Sequence, residues 1–149
     1  DEQELNKANI KMALNGAEIV EILLGRDDIL VILQNKDTVI NLQPNFSRIA
    51  AILNTKYRGL SVSAASNDDS YDFYSRSFFP TLGVNEDPVC GSAHCLISVY
   101  WSNIKNKSTL KARQASLRGG NVYIKLNEDK SRVSLSGYCA MYMKGTIWI

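Results

Sequence analysis

Hydrophobic positions recur with two different periods along the chain, and these periods divide it into predicted helices and strands. Helical spacing predicts a lead-in helix over residues 4–15 and a short helix over 46–55, with Asn45 as its N-cap. A longer helix follows, in which apolar residues stand at offsets 0, 3, 4, 7, 8 and 11: Ala93, Leu96, Ile97, Tyr100, Trp101 and Ile104. A helix with so many apolar positions should be largely buried.

Alternation with a period of two predicts the strands. They lie at 18–23, 29–33, 60–64 and 71–79, and hairpins follow from Leu110 to Ile149 with strands at 122–126, 133–135, 138–142 and 147–149. Many strands around one apolar helix predict an α+β fold: a mostly antiparallel, barrel-like sheet that curls around a central buried helix.

Composition narrows the classes of function. The chain has 149 residues, the length of one ordinary domain, and 17 Lys and Arg against 15 Asp and Glu, for a net charge of +2. The basic residues are scattered, so we expect no binding to nucleic acid, and the aromatic residues are better explained as core. No apolar run reaches the roughly 20 residues of a membrane-spanning helix, so we expect no membrane partner.

The cysteines point to a reducing compartment, and we expect the cytoplasm. Cys90, Cys95 and Cys139 are an odd number at irregular spacing, which is not a disulfide framework. His94, the only histidine, stands beside Cys95. Because this group lacks a paired C-x-x-C and a fourth ligand, we expect no metal site, and a supporting histidine is the simpler interpretation.

The loop that leads into the long helix, residues 83–95, concentrates the reactive side chains. A helix N-terminus offers unpaired N–H groups and a partial positive charge, so a carboxylate can dock where Gly91 permits close approach and Ser92 adds a hydroxyl. Asp87 can accept hydrogen bonds from an amine or hydroxyl of the same ligand. A purely structural alternative makes Ser92 the N-cap, Asp87 a partner of the helix dipole and Gly91 a turn residue.

Two arginines are ambiguous in the same way. Arg76 and Arg118 can each reach an anionic substrate, but beside aromatic residues on strands they are more often solvated or stacked. We assign a substrate to neither.

Three sequence blocks carry a family resemblance. They read FYSRSFF at 73–79, EDPVCGSAHC at 86–95 followed by Tyr100-Trp101, and QASLRGG at 114–120. In this order they resemble the C-terminal half of phenazine-biosynthesis-F-like (PhzF-like) isomerases, and the similarity runs from about residue 17 to the end. Residues 1–16 are then a lead-in helix or interlobe connector, and residues 17–149 the C-terminal lobe.

The resemblance implies a diaminopimelate-epimerase-like fold of two lobes, a cofactor-independent isomerase, and a site between two helix N-termini. It also implies that Asp87, Gly91 and Ser92 position a small carboxylate-bearing metabolite, while a glutamate of the N-terminal lobe moves the proton. We find no counterpart of that lobe here. Asp1 stands where an initiator Met is expected, so we expect a fragment that is inactive alone, with the N-terminal lobe, and possible homodimers, as its partners.

Other interpretations of the same loop stay open. Cys90 precedes Gly91 as the acid-base cysteine does in related epimerases and racemases, and a nearby helix N-terminus can lower a thiol pKa; the simpler role is packing. Cys90 and His94 are therefore candidate substrate contacts. A non-catalytic module that holds an anion or partner at Gly91-Ser92 is the other alternative, and a plain structural domain is the last.

Overall fold

A computed structural model of the chain describes residues 6–54 and 56–148. Within these ranges it has the helices α1 (Lys7–Ala13), α2 (Lys36–Ile40), α3 (Phe46–Leu53) and α4 (Gly91–Lys105). The strands are β1 (Ile19–Leu24), β2 (Asp28–Leu33), β3 (Gly59–Ala65), β4 (Phe73–Phe79), β5 (Val84–Asp87), β6 (Thr109–Gln114), β7 (Gly120–Leu126) and β8 (Val133–Ser136). The predicted α+β class is confirmed.

The strands form one mixed, open sheet, which corrects the predicted mostly antiparallel barrel. Its order is β1-β2-β3-β4-β6-β7-β8, with β5 paired to β4 off this path. The pairs β2–β3 and β4–β6 are parallel. Each joins strands whose connection carries a helix across one face of the sheet, and such a crossover brings the chain back in the same direction.

Helices cover both faces of this sheet. Helices α1, α2 and α3 pack on one face and α4 on the other, and each face has its own hydrophobic core. Helix α4 contacts β6, β7 and β8 at one end of the strand order and also β2 near the other end. The sheet therefore curls around α4, as the sequence predicts, without closing.

Asparagines begin the helices of the first face. The side chains of Asn6, Asn35 and Asn45 each accept a hydrogen bond from a backbone N–H in the first turn, at 2.9, 2.8 and 3.0 Å. These caps satisfy donors that have no partner inside the helix. Helix α2 goes beyond the sequence prediction, because five residues are too few to display a helical period.

Polar side chains dock α4 onto the sheet. The Trp101 indole Nε1–H donates to Ser63 Oγ at 2.8 Å, and His94 Nε2 lies 3.2 Å from Ser75 Oγ. Phe73 stacks between the His94 and Trp101 rings, with centroid distances of 6.0 and 5.8 Å. The buried side of α4 is thus less apolar than predicted, and Ile104 is exposed.

His94 is fully buried in this contact. Its Nδ1 lies 2.7 Å from the Cys90 carbonyl, which only accepts, so Nδ1 carries the proton and Nε2 accepts from Ser75. Desolvation lowers the pKa of His94, and the hydrogen bond to Cys90 opposes this only in part. At neutral pH, which is above the ordinary histidine value, the native imidazole is therefore neutral.

The predicted strands at 138–142 and 147–149 are not strands where the structure describes them. Residues 137–148 lie outside helix and strand, and Ile149 lies outside the described residues. An alternating sequence forms a ladder only beside a neighbouring strand. Between residues 137 and 148, Tyr138, Tyr142 and Trp148 are exposed instead.

The Trp101 contact should carry a large share of the stability. We expect Trp101→Ala to lower the free energy of unfolding by about 3–5 kcal/mol, because it removes a buried aromatic ring and its hydrogen bond to Ser63. Ile104→Ala, an apolar truncation on the exposed side of the same helix, should cost less than about 0.5 kcal/mol. Urea unfolding of both variants checks this, and equal losses would contradict the packing described.

His94 should make stability depend on pH near neutrality. The unfolded chain binds a proton that the buried imidazole resists, so the free energy of unfolding should fall as pH drops below about 6.5 and through the lower native pKa. Urea unfolding at about pH 7.5 and 5.5 should show this loss in the wild type. In His94→Gln the loss should disappear, and its persistence there would assign it to other groups.

Candidate active site

A short, tightly bonded loop leads into α4. Asp87 is the last residue of β5 and pairs with Ser77 of β4. Its carboxylate Oδ1 accepts a hydrogen bond from the Val89 N–H at 2.9 Å, so the chain turns immediately after the strand. Asp87 is thereby held half-buried at the start of the helix, with its second carboxylate oxygen outside this turn.

Gln114 fixes the same loop from the neighbouring strand β6. This buried side chain accepts from the Cys90 N–H at 2.8 Å and donates to the Asp87 carbonyl at 2.6 Å. It therefore sets the spacing between Asp87 and the start of α4. Sequence reasoning missed this role, because a glutamine in an alternating strand gives no sign of what its amide contacts.

The next turn approaches the loop closely. A Cβ atom on Gly120 would lie 2.4 Å from Val89 Cγ2, so a larger residue would push the loop away. Gly119 has φ +66°, a conformation that favours glycine. Ser116 adds a hydrogen bond from its hydroxyl to the Pro88 carbonyl at 2.7 Å. The Gly-Gly pair of the third sequence block thus supports the helix entrance.

Helix α4 begins without a side-chain cap. Cys90 occupies the N-cap position and its side chain makes no capping hydrogen bond, while Gly91 and Ser92 are the first residues of the helix. The structural alternative that made Ser92 the N-cap and Gly91 a turn residue is therefore wrong. A Cβ at Gly91 would meet only Leu135, at 3.8 Å, so there is room for a side chain at this position.

A cavity of about 170 Å³ joins the candidate residues. Its lining includes Asp87, Cys90 and Ser92, and the Cys90 Sγ lies 3.4 Å from the Ser92 Oγ. The wall is completed by Phe79, Leu82 and Val84, and by Arg58 from the connection between α3 and β3. No sequence pattern placed Arg58 here, because it stands 29 residues before Asp87.

Gly91 and the other candidates lie outside this cavity lining. His94 is buried beneath the first turn of α4, where it holds the Cys90 carbonyl. Arg76 is also buried, and its guanidinium pairs with Glu86 and donates to the carbonyl of Leu42. Arg118 is exposed. Arg76 is therefore a structural residue, which pairs β4 with β5 and ties both to the segment that follows helix α2.

A larger cavity, about 870 Å³, lies between α1 and the start of α3. Its described lining includes the basic residues Lys11 and Arg48 but no carboxylate or thiol. The smaller cavity, which has both, is therefore the better candidate for acid-base catalysis. Within residues 6–54 and 56–148, no cluster of His, Cys, Asp and Glu is suited to a metal ion, and no helix is long and apolar enough to cross a membrane.

Related proteins share most of this chain. An uncharacterized isomerase of Halalkalibacterium halodurans is 40% identical over 136 residues, which are 90% of this chain and 49% of that protein. An uncharacterized isomerase of Pseudomonas aeruginosa is 39% identical over 132 residues, 89% of this chain and 48% of that protein. The chain thus spans about half the length of these curated relatives.

Solved structures share the fold. The crystal structure of a PhzF-family phenazine biosynthesis protein from Enterococcus faecalis is 42% identical, with a TM-score of 0.73 over 80% of this chain and 44% of that one. A PhzC/PhzF protein from Clostridium difficile is 33% identical, with a TM-score of 0.79 over 97% of this chain and 52% of its own. The sequence model of the phenazine biosynthesis-like proteins matches residues 1–145, and the chain belongs to this family, the PhzF family.

Proposed function

We propose that this chain is the substrate-binding half of an isomerase that moves a proton on a small carboxylate-bearing metabolite. One observation carries the proposal: the uncapped N-terminus of α4, the Ser92 hydroxyl and the Asp87 carboxylate meet at one cavity. Unpaired N–H groups bind an anion, and a fixed carboxylate accepts from an amine or hydroxyl. The cavity therefore suits a small molecule that carries both kinds of group.

The proposed chemistry divides between two lobes. Removal of a proton beside a carboxylate leaves negative charge on the substrate, which the α4 N–H groups and Ser92 can stabilise. The proton itself would move to and from a glutamate of an N-terminal lobe, as the family resemblance implies. This chain then supplies binding and charge stabilisation without a cofactor, and the general base comes from its partner.

The exposed residues near the end of the chain support a partner lobe. Tyr138, Met141, Tyr142, Ile147 and Trp148 are each at least 85% exposed. So many large apolar side chains in one segment are typical of an interaction surface. We propose that residues 137–148 pack against the first lobe, and a homodimer that covers the same segment is the other expectation. The free thiols of Cys90, Cys95 and Cys139 support a cytoplasmic location.

Asp87→Asn and Ser92→Ala should separate catalysis from folding. The test protein is two-lobed, with this chain joined to the first lobe of a relative. Ser92→Ala should lower kcat by about 10²–10³-fold, because it removes a donor to the negative charge of the transition state. Asp87→Asn should lower kcat/KM by about 10²-fold, because it removes the carboxylate that orients the substrate through its amine or hydroxyl. Each should change the free energy of unfolding by less than about 0.5 kcal/mol. The assay is deuterium uptake from D₂O into a panel of small amino- and hydroxy-carboxylates.

Two substitutions of the same chemical kind at exposed positions serve as controls for this test. Asp69→Asn and Ser47→Ala change exposed side chains outside the cavity lining and should leave deuterium uptake unchanged. The chain without a first lobe should show little or no uptake. Turnover by the isolated chain would contradict the proposal, and so would a loss of stability large enough to explain the loss of activity. If the joined protein binds a carboxylate but catalyses no deuterium uptake into it, the chain is a binding module.

Cys90 tests the second mechanism, a cysteine-type epimerase. Its sulfur lines the cavity 3.4 Å from Ser92 Oγ, which is a position for an acid-base group. We expect Cys90→Thr to leave deuterium uptake within about threefold of the wild type, because threonine is a good N-cap and the glutamate carries the proton. Cys95→Ser, an exposed thiol one turn along the helix, is the control. A loss of about 10²-fold or more would establish the cysteine mechanism instead.

A further inference from the structure

We propose that Arg58 selects substrates with two anionic groups, by binding the group that the N-terminus of α4 does not bind. This rests on the proposed function of the cavity. Arg58 lines the same cavity as Asp87, Cys90 and Ser92, although in the sequence it stands just before β3, well ahead of the loop that carries them. It brings a permanent positive charge to a wall that is otherwise apolar, formed by Phe79, Leu82 and Val84.

The Arg58 side chain is held in place before any ligand arrives. Its Nε and Nη2 donate to the two carboxylate oxygens of Asp28 at 3.1 and 2.5 Å. The guanidinium carbon also lies 5.5 Å from the centre of the Phe79 ring, so the group stacks on an aromatic face. Because the side chain is already ordered, binding a ligand costs little further conformational entropy.

A comparison with Arg76 shows which donors remain. Arg76 uses all three guanidinium nitrogens, on Glu86 and on the carbonyls of Val39 and Leu42. The pair of Arg58 with Asp28 uses Nε and Nη2 and leaves Nη1 outside it. The Arg58 side chain is also 38% exposed, whereas Arg76 is 10% exposed. Arg76 is thus a structural pair, and Arg58 keeps a donor edge for a ligand.

The charges around the cavity are mixed: Asp28 compensates the charge of Arg58, and Asp87 adds a carboxylate to the lining. An anionic group at Arg58 is therefore held by directed guanidinium hydrogen bonds, and its best place is on the side of the cavity away from Asp87. Asp28, with only 9% of its side chain exposed, lies behind Arg58, and its hydrogen bonds raise the pKa of Arg58. Arg58 is therefore cationic at every working pH, and a guanidinium matches the planar geometry of a carboxylate. A cavity of about 170 Å³ has the volume of about six water molecules. This volume suits a small dicarboxylate with one end at Ser92 in the first turn of α4 and the other at Arg58, since both residues line the cavity.

The experiment compares simple acids as binding probes. The ¹⁵N-labelled chain is titrated with butyrate, succinate and glutarate while the Gly91 and Ser92 amide shifts are followed, and each Kd is measured. We expect the better dicarboxylate to bind about tenfold or more tighter than butyrate, because it gains a second charged hydrogen bond. Arg58→Gln should remove this difference and leave the butyrate Kd unchanged, and Arg58→Lys should keep part of it.

The outcomes separate this inference from the proposed function. Butyrate binding that Ser92→Ala weakens, together with no preference for dicarboxylates in the wild type, overturns the role of Arg58 and leaves the helix site standing. An equal effect of Arg58→Gln on all probes also overturns it, since that is the result of a structural role. If Arg58→Gln fails to fold, the wild-type preference and Arg58→Lys decide. No shift with any probe overturns both proposals.

Discussion

The attachment of α4 to the sheet is the contact on which the site depends. Trp101 and His94 each bond a buried serine of the sheet, and Phe73 stacks between their rings. These contacts fix both the position of the helix along the sheet and its rotation about its own axis. Because the hydrogen bonds are buried, any other register would leave polar groups without partners at a cost of about 1–3 kcal/mol each. The direction of the α4 N-terminus is therefore set by the core.

From this fixed helix, a chain of hydrogen bonds leads to the cavity. His94 holds the Cys90 carbonyl, Gln114 holds the Cys90 N–H, and the same Gln114 amide reaches the Asp87 carbonyl. The positions of the cavity-lining residues Cys90 and Asp87 thus depend on His94 and Gln114, which are buried outside the lining. A change at His94 or Gln114 is expected to move Asp87 relative to Ser92 without touching a ligand, so such residues position the site without taking part in its chemistry.

Local sequence signals predicted the parts of this structure that depend on neighbours in the chain. Asn45 capped its helix as expected, the β1–β2 hairpin followed from alternation and a turn, and Asp87 and Ser92 of the loop before α4 line one cavity. Partners distant in the chain could not be predicted. The parallel pairs, the Gln114 bridge and the place of Arg58 all join residues whose meeting depends on the complete topology. Alternation in the strand at 60–64 also does not show that Ser61 and Ser63 are buried, because helices cover both faces of the sheet.

The contrast between helix beginnings is the last argument for a ligand at α4. Helices α1, α2 and α3 each start with an asparagine that caps them, whereas α4, the longest at 15 residues, starts with Cys90 and no cap. A suitable cap is worth about 1 kcal/mol, and serine, threonine or aspartate at position 90 would supply it. A helix that serves packing alone gains nothing from this omission. The missing cap leaves all N–H groups of the first turn available to an anion, where a cap would occupy one of them, and Ser92 in this turn lines the cavity that would hold the anion.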